Sequence, residues 1–307
     1  VLKALGREKM DFIWQPVCPE CMAGLGVPRD PIHVVGESGA AVWTGAAEVK
    51  GRGGRKVGPQ MMEGCRACLD ALRRSGTRAF VYMDGSPSCG VYRTTLKDRK
   101  RGHPPGVFGS LLFDEGYFLV PAADLQSPVR WWDWKRRLLA FLWLADAPLS
   151  TRAELYGVWH RLKFLAQELD DPWARSTGRQ LAAISVHPGT PEWDREVRTF
   201  RTEMMDRLRR PSRPPRILNS FRKHYGYLRK RTGRPVPQVL PPEEARSWTR
   251  LVQEMGALER AAAAEGLLFG ASPVLYLGRR RISPEAPEPD PTSSDIPLPE
   301  IGGSDDA

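Results

Sequence analysis

The chain has 307 residues, with 46 Lys and Arg against 36 Asp and Glu for a net charge of +10, five cysteines and 41% hydrophobic residues. Length and apolar content suffice for two cores, while the longest unbroken apolar run, residues 138–145, falls well short of the roughly 20 needed to cross a bilayer. No secretory leader pattern lies near Val1, and an odd cysteine number argues against a disulfide scaffold. Both point to a reducing cytoplasm, where clustered thiols serve as metal ligands or core residues.

In chain order, the first 125 residues alternate between strand-like and helix-like patterns. Residues 12–17 form a short apolar run, interrupted by Pro16, that reads as a buried strand. From 57 to 74, Val57, Met61, Cys65, Cys68, Leu69 and Leu72 recur on one helical face, with Gly76 placed to stop the helix. Residues 78–84 read as the next strand, 106–115 as a second helix ended by Gly116, and 117–120 as a further strand. Strand, helix and strand joined by short links predict an α/β fold with an open, mostly parallel sheet and flanking helices.

Beyond Ser127 and Pro128 the pattern becomes helical throughout. A Trp- and Leu-rich stretch covers 131–144, and Leu155, Trp159, Leu162, Ala166 and Leu169 share one face. Thr190 and Pro191 open a helix carrying Trp193, Val197, Phe200, Met204 and Leu208. Ile217, Phe221, Tyr225 and Leu228 make another stripe, and 242–265 a last helix closed by Gly266. These stripes predict an all-α domain. The expected organisation is an α/β domain over 1–126, a helical domain over 127–281, and a disordered acidic, Pro-rich tail over 282–307. Residues 283–307 hold seven acidic residues and no Lys or Arg. Residues 195–234 hold fourteen Lys and Arg against three acidic residues. Such a segment reads first as a solvated helix face, with RNA contact as the alternative.

In open parallel sheets, ligands bind beyond the carboxyl ends of the strands. Cys18 follows the first expected strand, in Pro16-Val17-Cys18-Pro19-Glu20-Cys21, and Cys89 follows the strand at 78–84, in Gly85-Ser86-Pro87-Ser88-Cys89-Gly90. Gly and Pro shape both segments as turns, so thiols and hydroxyls from separate loops can converge, and soft thiolates select zinc, copper(I) or iron–sulfur clusters. Cys18 with Cys21 and Cys65 with Cys68 form two C-x-x-C pairs, which leaves a structural zinc site as an alternative. Cys65 and Cys68, however, belong to the apolar stripe of their helix and read as core residues. The five histidines show no metal-ligand spacing, and the Gly-rich basic stretch 51–56 lacks the order of a P-loop.

Cys18-Pro19-Glu20, Gly24-Leu25, Pro28-Arg29 and Ser86-Pro87-Ser88-Cys89-Gly90, with Gly106-Val107, Leu111-Leu112 and Gly116 behind them, resemble the signatures of the 2-thiouracil desulfidase family over about residues 12–124. The resemblance implies a small α/β domain that holds a 4Fe–4S cluster by three cysteines. One iron is left open to a thiolated base, whose C=S group is converted to C=O. It also implies catalytic roles for Glu20 and Ser86, with Cys18 and Cys89 as cluster ligands. The family's first ligand lies in a Cys-Leu-Leu-Gly segment some dozens of residues before Cys-Pro-Glu, and no cysteine stands among the 17 residues before Cys18. Either that segment lies upstream of Val1 or a local thiol replaces it, Cys21 being the obvious substitute ahead of Cys65 or Cys68. The helical half is similar, across fewer positions, to a helical domain often fused behind this one. Asn219, Gly226 and Tyr227 match its motif, and Lys223 stands where that motif has His.

Overall fold

Apolar spacing and caps account for most of the elements in the computed structural model, which describes residues 2–8, 11–92, 104–211, 213–233, 236, 239–244 and 247–264. A short helix α1 (Leu2–Arg7) and a one-turn helix α2 (Pro19–Met22) precede β1 (His33–Val35), α3 (Gly39–Trp43) and β2 (Glu48–Lys50). The long helix α4 (Gly58–Arg74) then leads through β3 (Ala79–Tyr82) and α5 (Val107–Asp114) to β4 (Phe118–Pro121). Six helices follow: α6 (Pro128–Asp146), α7 (Arg152–Leu169), α8 (Asp171–Ala182), α9 (Pro191–Leu208), α10 (Pro214–Thr232) and α11 (Trp248–Ala264). The fold is therefore α/β first and all-helical afterwards.

The strands form two two-stranded pieces. β3 and β4 pair in parallel with Ala79 opposite Phe118, as strand–helix–strand order requires. β1 and β2 pair antiparallel with Val34 opposite Val49; at three residues each, they carry too little alternation to stand out in the sequence. Residues 12–17 take no strand structure, contrary to expectation. Phe12 turns inward against Trp131, with ring centroids 6.0 Å apart, whereas Ile13 is fully exposed. Pro16 lacks the N–H that a ladder would use, and the segment is held instead by Phe12 and by Trp14, whose indole donates to the Leu5 carbonyl at 3.1 Å, and stays irregular.

Helix α4 carries the expected stripe, with Met61, Cys65, Cys68, Leu69 and Leu72 buried. With Val34, Val42, Val49, Val107 and Phe108 they make one apolar cluster. A second cluster joins Phe118 and Val120 of β4 to Trp134, Phe141, Leu162, Trp193 and Met204 from the helices. A third packs Ile217, Phe221, Tyr225 and Leu228 of α10 against Leu251, Met255 and Leu258 of α11. All three clusters lie within one unit, Val1–Tyr276.

Side-chain caps set the helix starts. Thr151 and Glu154 form a reciprocal capping box on α7, and Thr190 accepts from the Trp193 amide of α9. α8, capped by Asp170, was not anticipated; its apolar content is low enough to read as loop. α11 begins six residues later than expected. Residues 242–244 form a turn, and Ser247 accepts from the Arg250 amide at 3.1 Å to start the helix. Gly266 and the expected tail over 282–307 lie outside the described residues.

The helical half also contains a buried ionic cluster. Asp133 of α6 accepts from Arg136 (2.7 Å) and Arg137 (2.9 Å), while Glu168 of α7 pairs with Arg136 and Arg216 of α10 reaches Asp133 (3.4 Å). Arg137 further donates to the carbonyls of Leu208 (2.7 Å) and Arg210 (2.5 Å). No helix among the described residues is long and apolar enough to cross a membrane.

Candidate active site

Two backbone devices bring the Cys18 and Cys89 loops together. Cys18 is the residue before α2, and α2 lies directly on α4. A Cβ on Gly64 would stand 2.5 Å from the Pro19 carbonyl oxygen and 2.6 Å from the Ala23 nitrogen, so only glycine permits this approach. The Cys89 loop is seated on the N-terminus of α5. Val107 donates to the Pro87 carbonyl (3.2 Å), and Phe108 and Gly109 donate to that of Ser88 (2.7 and 3.0 Å), which satisfies amides that a helix start leaves free. A Cβ on Gly109 would stand 2.3 Å from the Gly90 carbonyl oxygen.

A polar chain joins the two loops. Arg29 donates from Nε to Glu20 Oε2 (2.5 Å) and from its two Nη atoms to the sulfurs of Cys18 and Cys21, each at 3.4 Å. Ser88 donates to the other Glu20 oxygen, Oε1, at 2.6 Å. Ser86 Oγ lies 2.9 Å from Ser88 Oγ and accepts from the amides of Ser88 (3.3 Å) and Cys89 (3.2 Å). Because a hydroxyl has one proton and that of Ser88 goes to Glu20, Ser86 donates to Ser88. The hydrogen bonds therefore all run toward the carboxylate. Glu20 and Ser86, both expected as catalytic, are joined through Ser88.

The electrostatics are those of thiols around a cation. Burial works against the charge of Arg29, but its hydrogen bond to Glu20 and the nearby Glu20 and Cys18 charges hold it above the ordinary arginine range. Burial raises Cys89, although hydrogen bonds with the Ser86 side chain and the Met83 backbone oppose the shift. Burial also pushes Cys68 up to about 11, with the neighbouring Cys18 charge adding to the rise and a Cys18 backbone hydrogen bond opposing it. Cys65, fully enclosed, is raised further.

Cys18, Cys21 and Cys68 line one cavity of about 430 Å³, together with Gln15, Pro16 and Val17. Cys65 is purely a core residue, as expected. Cys68 belongs both to the core and to this wall. Among the described residues, no three His, Cys, Asp or Glu side chains are grouped tightly enough to hold a single ion. The tetrahedral zinc arrangement over Cys18, Cys21, Cys65 and Cys68 is therefore not formed there. An iron–sulfur group spreads its thiolates over separate irons. The sulfurs of Cys18 and Cys21 on one cavity wall, with Arg29 to offset negative charge, suit such a group, while Cys89 stands off that wall on the neighbouring loop that Ser88 ties to Glu20.

The family pattern described as 2-thiouracil desulfurase matches residues 3–124. An uncharacterized protein of Bacillus subtilis (strain 168), YbbK, is 31% identical over 113 residues, which span 36% of this chain and 74% of that protein. The chain belongs to the 2-thiouracil desulfurase family. A solved structure titled as a [4Fe-4S]-dependent thiouracil desulfidase, TudS, is 27% identical over 40% of this chain and 75% of its own length, with a TM-score of 0.32.

Sequence reasoning assigned no role to two members of the polar chain. Arg29 and Ser88 both stand inside the quoted signatures, and their charge and hydroxyl were the available signal. Several arginines of the basic 195–234 segment are engaged within the fold. Arg207 and Arg210 pair with Asp170, Arg209 with Asp206, and Arg201 donates to the Ala147 carbonyl (2.6 Å).

Proposed function

We propose that the chain is an iron–sulfur-dependent desulfidase acting on a thiolated pyrimidine or a similar thioamide. The overall change is hydrolytic: the oxygen of water replaces sulfur on the carbon, and sulfur leaves with the two protons of that water. No oxidant or reductant is consumed. Cys18, Cys21 and Cys89 are the thiols assigned to hold the group. When bound, it supplies an iron with affinity for soft sulfur, which polarises a thiocarbonyl.

The protein's own contribution is proton handling and charge placement. Glu20, fixed from one side by Arg29 and from the other by Ser88, is oriented to take a proton from an attacking water and return it to departing sulfur. Ser86 lies at the far end of this hydrogen-bond chain, beside the Cys89 amide, where a hydroxyl can hand a proton toward Ser88. Arg29 lowers the cost of gathering anionic sulfur on the Cys18 loop. The observation that carries this reading is the continuous contact Arg29–Glu20–Ser88–Ser86 between the two cysteine loops.

The test is sulfide release from 2-thiouracil by the full chain after anaerobic reconstitution with iron and sulfide. Release is expected, and Cys89→Ala abolishes it. A reconstituted chain that takes up no iron overturns the proposal.

A further inference from the structure

Helix α10 packs on α11 through Ile217, Phe221, Tyr225 and Leu228. Its polar residues Arg216, Asn219 and Lys223, spaced by three and four, border a cavity of about 620 Å³ instead. Asn219 and Lys223 are two positions of the motif noted in the helical half. Arg130 of α6 and Arg213, just before α10, bring the basic side chains on this cavity to four, against the carboxylates of Glu168 and Asp171. Both carboxylates have an arginine elsewhere: Glu168, 2% exposed, pairs with Arg136, and Asp171 with Arg175 at 2.7 Å. Arg130 and Arg216 keep internal partners in Asp124 (3.5 Å) and Asp133 (3.4 Å), whereas Arg213 and Lys223 are exposed. The cavity therefore carries an excess of positive charge. Two atoms of its lining are buried without a hydrogen-bond partner among the described residues, the donor Arg216 Nε and the acceptor Asp171 Oδ1. Glu168 stands 3.6 Å from the first and Lys223 3.8 Å from the second, ion-pair distances too long for hydrogen bonds. Unsatisfied buried atoms are uncommon in a fold, and here a donor and an acceptor border one opening.

We propose that this cavity binds a nucleoside monophosphate. The phosphate suits Arg213 and Lys223, because guanidinium and ammonium groups both hold it by charge-assisted hydrogen bonds. A ribose hydroxyl is donor and acceptor at once, which is what the unpartnered Arg216 and Asp171 atoms require. The Asn219 and Gln167 amides, each carrying both functions, match the edge of a base, and Phe164 adds apolar surface for its ring. The volume lies within the range of cavities that enclose small ligands. Every lining residue falls between 130 and 224, outside the family match over 3–124. The site thus belongs to the helical part and stands independently of the desulfidase reading.

The experiment titrates the full chain calorimetrically, at near-physiological salt, with uridine 5′-monophosphate, adenosine 5′-monophosphate, uridine and inorganic phosphate. At least one nucleotide is expected to bind, with uridine and inorganic phosphate each weaker by roughly tenfold or more. Arg213→Ala and Lys223→Ala are expected to weaken nucleotide binding by roughly tenfold or more. Arg222→Ala, on the same helix but outside the cavity, is expected to leave it unchanged. Both charge variants alter exposed side chains, so their circular-dichroism melting is expected to match wild type, and Asn219→Ala, which removes no charge, gives a second weakened variant. Failure of both nucleotides to bind below roughly 1 mM overturns the proposal. Equal binding by wild type, Arg213→Ala and Lys223→Ala places the ligand elsewhere and overturns it too. Inorganic phosphate that binds as tightly as the nucleotides reduces the cavity to an anion site and overturns the nucleotide assignment. None of these readouts depends on iron, so the desulfidase reading stands or falls separately.

Discussion

Arg29 makes contacts that link three acidic or thiol groups, so its removal has a specific expected consequence. Arg29→Ala leaves the Glu20 carboxylate, 14% exposed, without its cation. With some solvent screening of this partly exposed pair, the expected cost is about 1–2 kcal/mol in urea unfolding of the metal-free chain. Ser88→Ala removes the hydroxyl between Ser86 and Glu20 but not the backbone seating on α5. It is expected to lower desulfidase turnover by roughly 10²-fold or more, with iron content unchanged. Equal loss of iron and turnover would instead mean that Ser88 only shapes the loop. The thiols were legible as candidates because Gly and Pro mark their loops. The partners Arg29 and Ser88 became assignable only once separate loops were seen to meet, since a hydrogen bond across 68 residues of sequence leaves no local pattern.

At the scale of elements, close backbone approach and buried titration make the predictions. Gly109→Ala forces a Cβ toward the Gly90 carbonyl, a contact that backbone atoms cannot relieve by a rotamer change. A loss of about 1–3 kcal/mol and a displaced Cys89 loop are expected, read as a lower melting temperature and poorer iron uptake. In α10 and α11, two buried groups set opposite pH limits. Burial lowers His224 to about 4, with Lys223 and Arg136 acting in the same direction and Glu168 against it. The unfolded chain therefore takes up the proton first, and stability falls as pH drops from about 6.5 toward 4. Burial raises Glu259 to about 8, with Glu168 adding to the shift and Arg136 and Arg260 opposing it. Here the folded state holds the proton, so its contribution is present below about 4.5 and is lost as pH rises through 8. Glu259→Gln is expected to raise the melting temperature at pH 8 and to flatten the profile between pH 5 and 8. An unchanged slope would place the titration elsewhere. The long helices were readable because four to six apolar positions repeat at the helical period. α8 and the three-residue strands β1 and β2 were not, because short elements show too few repeats and are held by neighbours.

For the molecule as a whole, the basic composition and the helical core are connected. Asp133, fully buried, meets Arg136, Arg137 and Arg216, and so ties α6 to α10, while Arg136 reaches α7 through Glu168. Asp133→Ala leaves the buried Arg137 guanidinium without its anion, while Arg136 and Arg216 keep Glu168, and a cost of about 3–5 kcal/mol in denaturant unfolding is expected. Part of the positive charge that composition presents as free for a polyanion is thus committed to internal pairs. No periodicity argument distinguishes an arginine on a solvated face from one turned toward a buried aspartate.

The sequence alone determined the succession of an α/β part and a helical part, the faces of the long helices, and the loops that carry Cys18 and Cys89. Each of these follows from nearest-neighbour chemistry: apolar spacing, caps, and the turn geometry of glycine and proline. Tertiary structure decided what meets across those loops. It left residues 12–17 without a partner strand, joined Glu20 to Ser86 through Ser88, and placed Cys68 against the Cys18 loop. These depend on which surfaces pack, and packing is set by the shape of the whole chain rather than by any window within it.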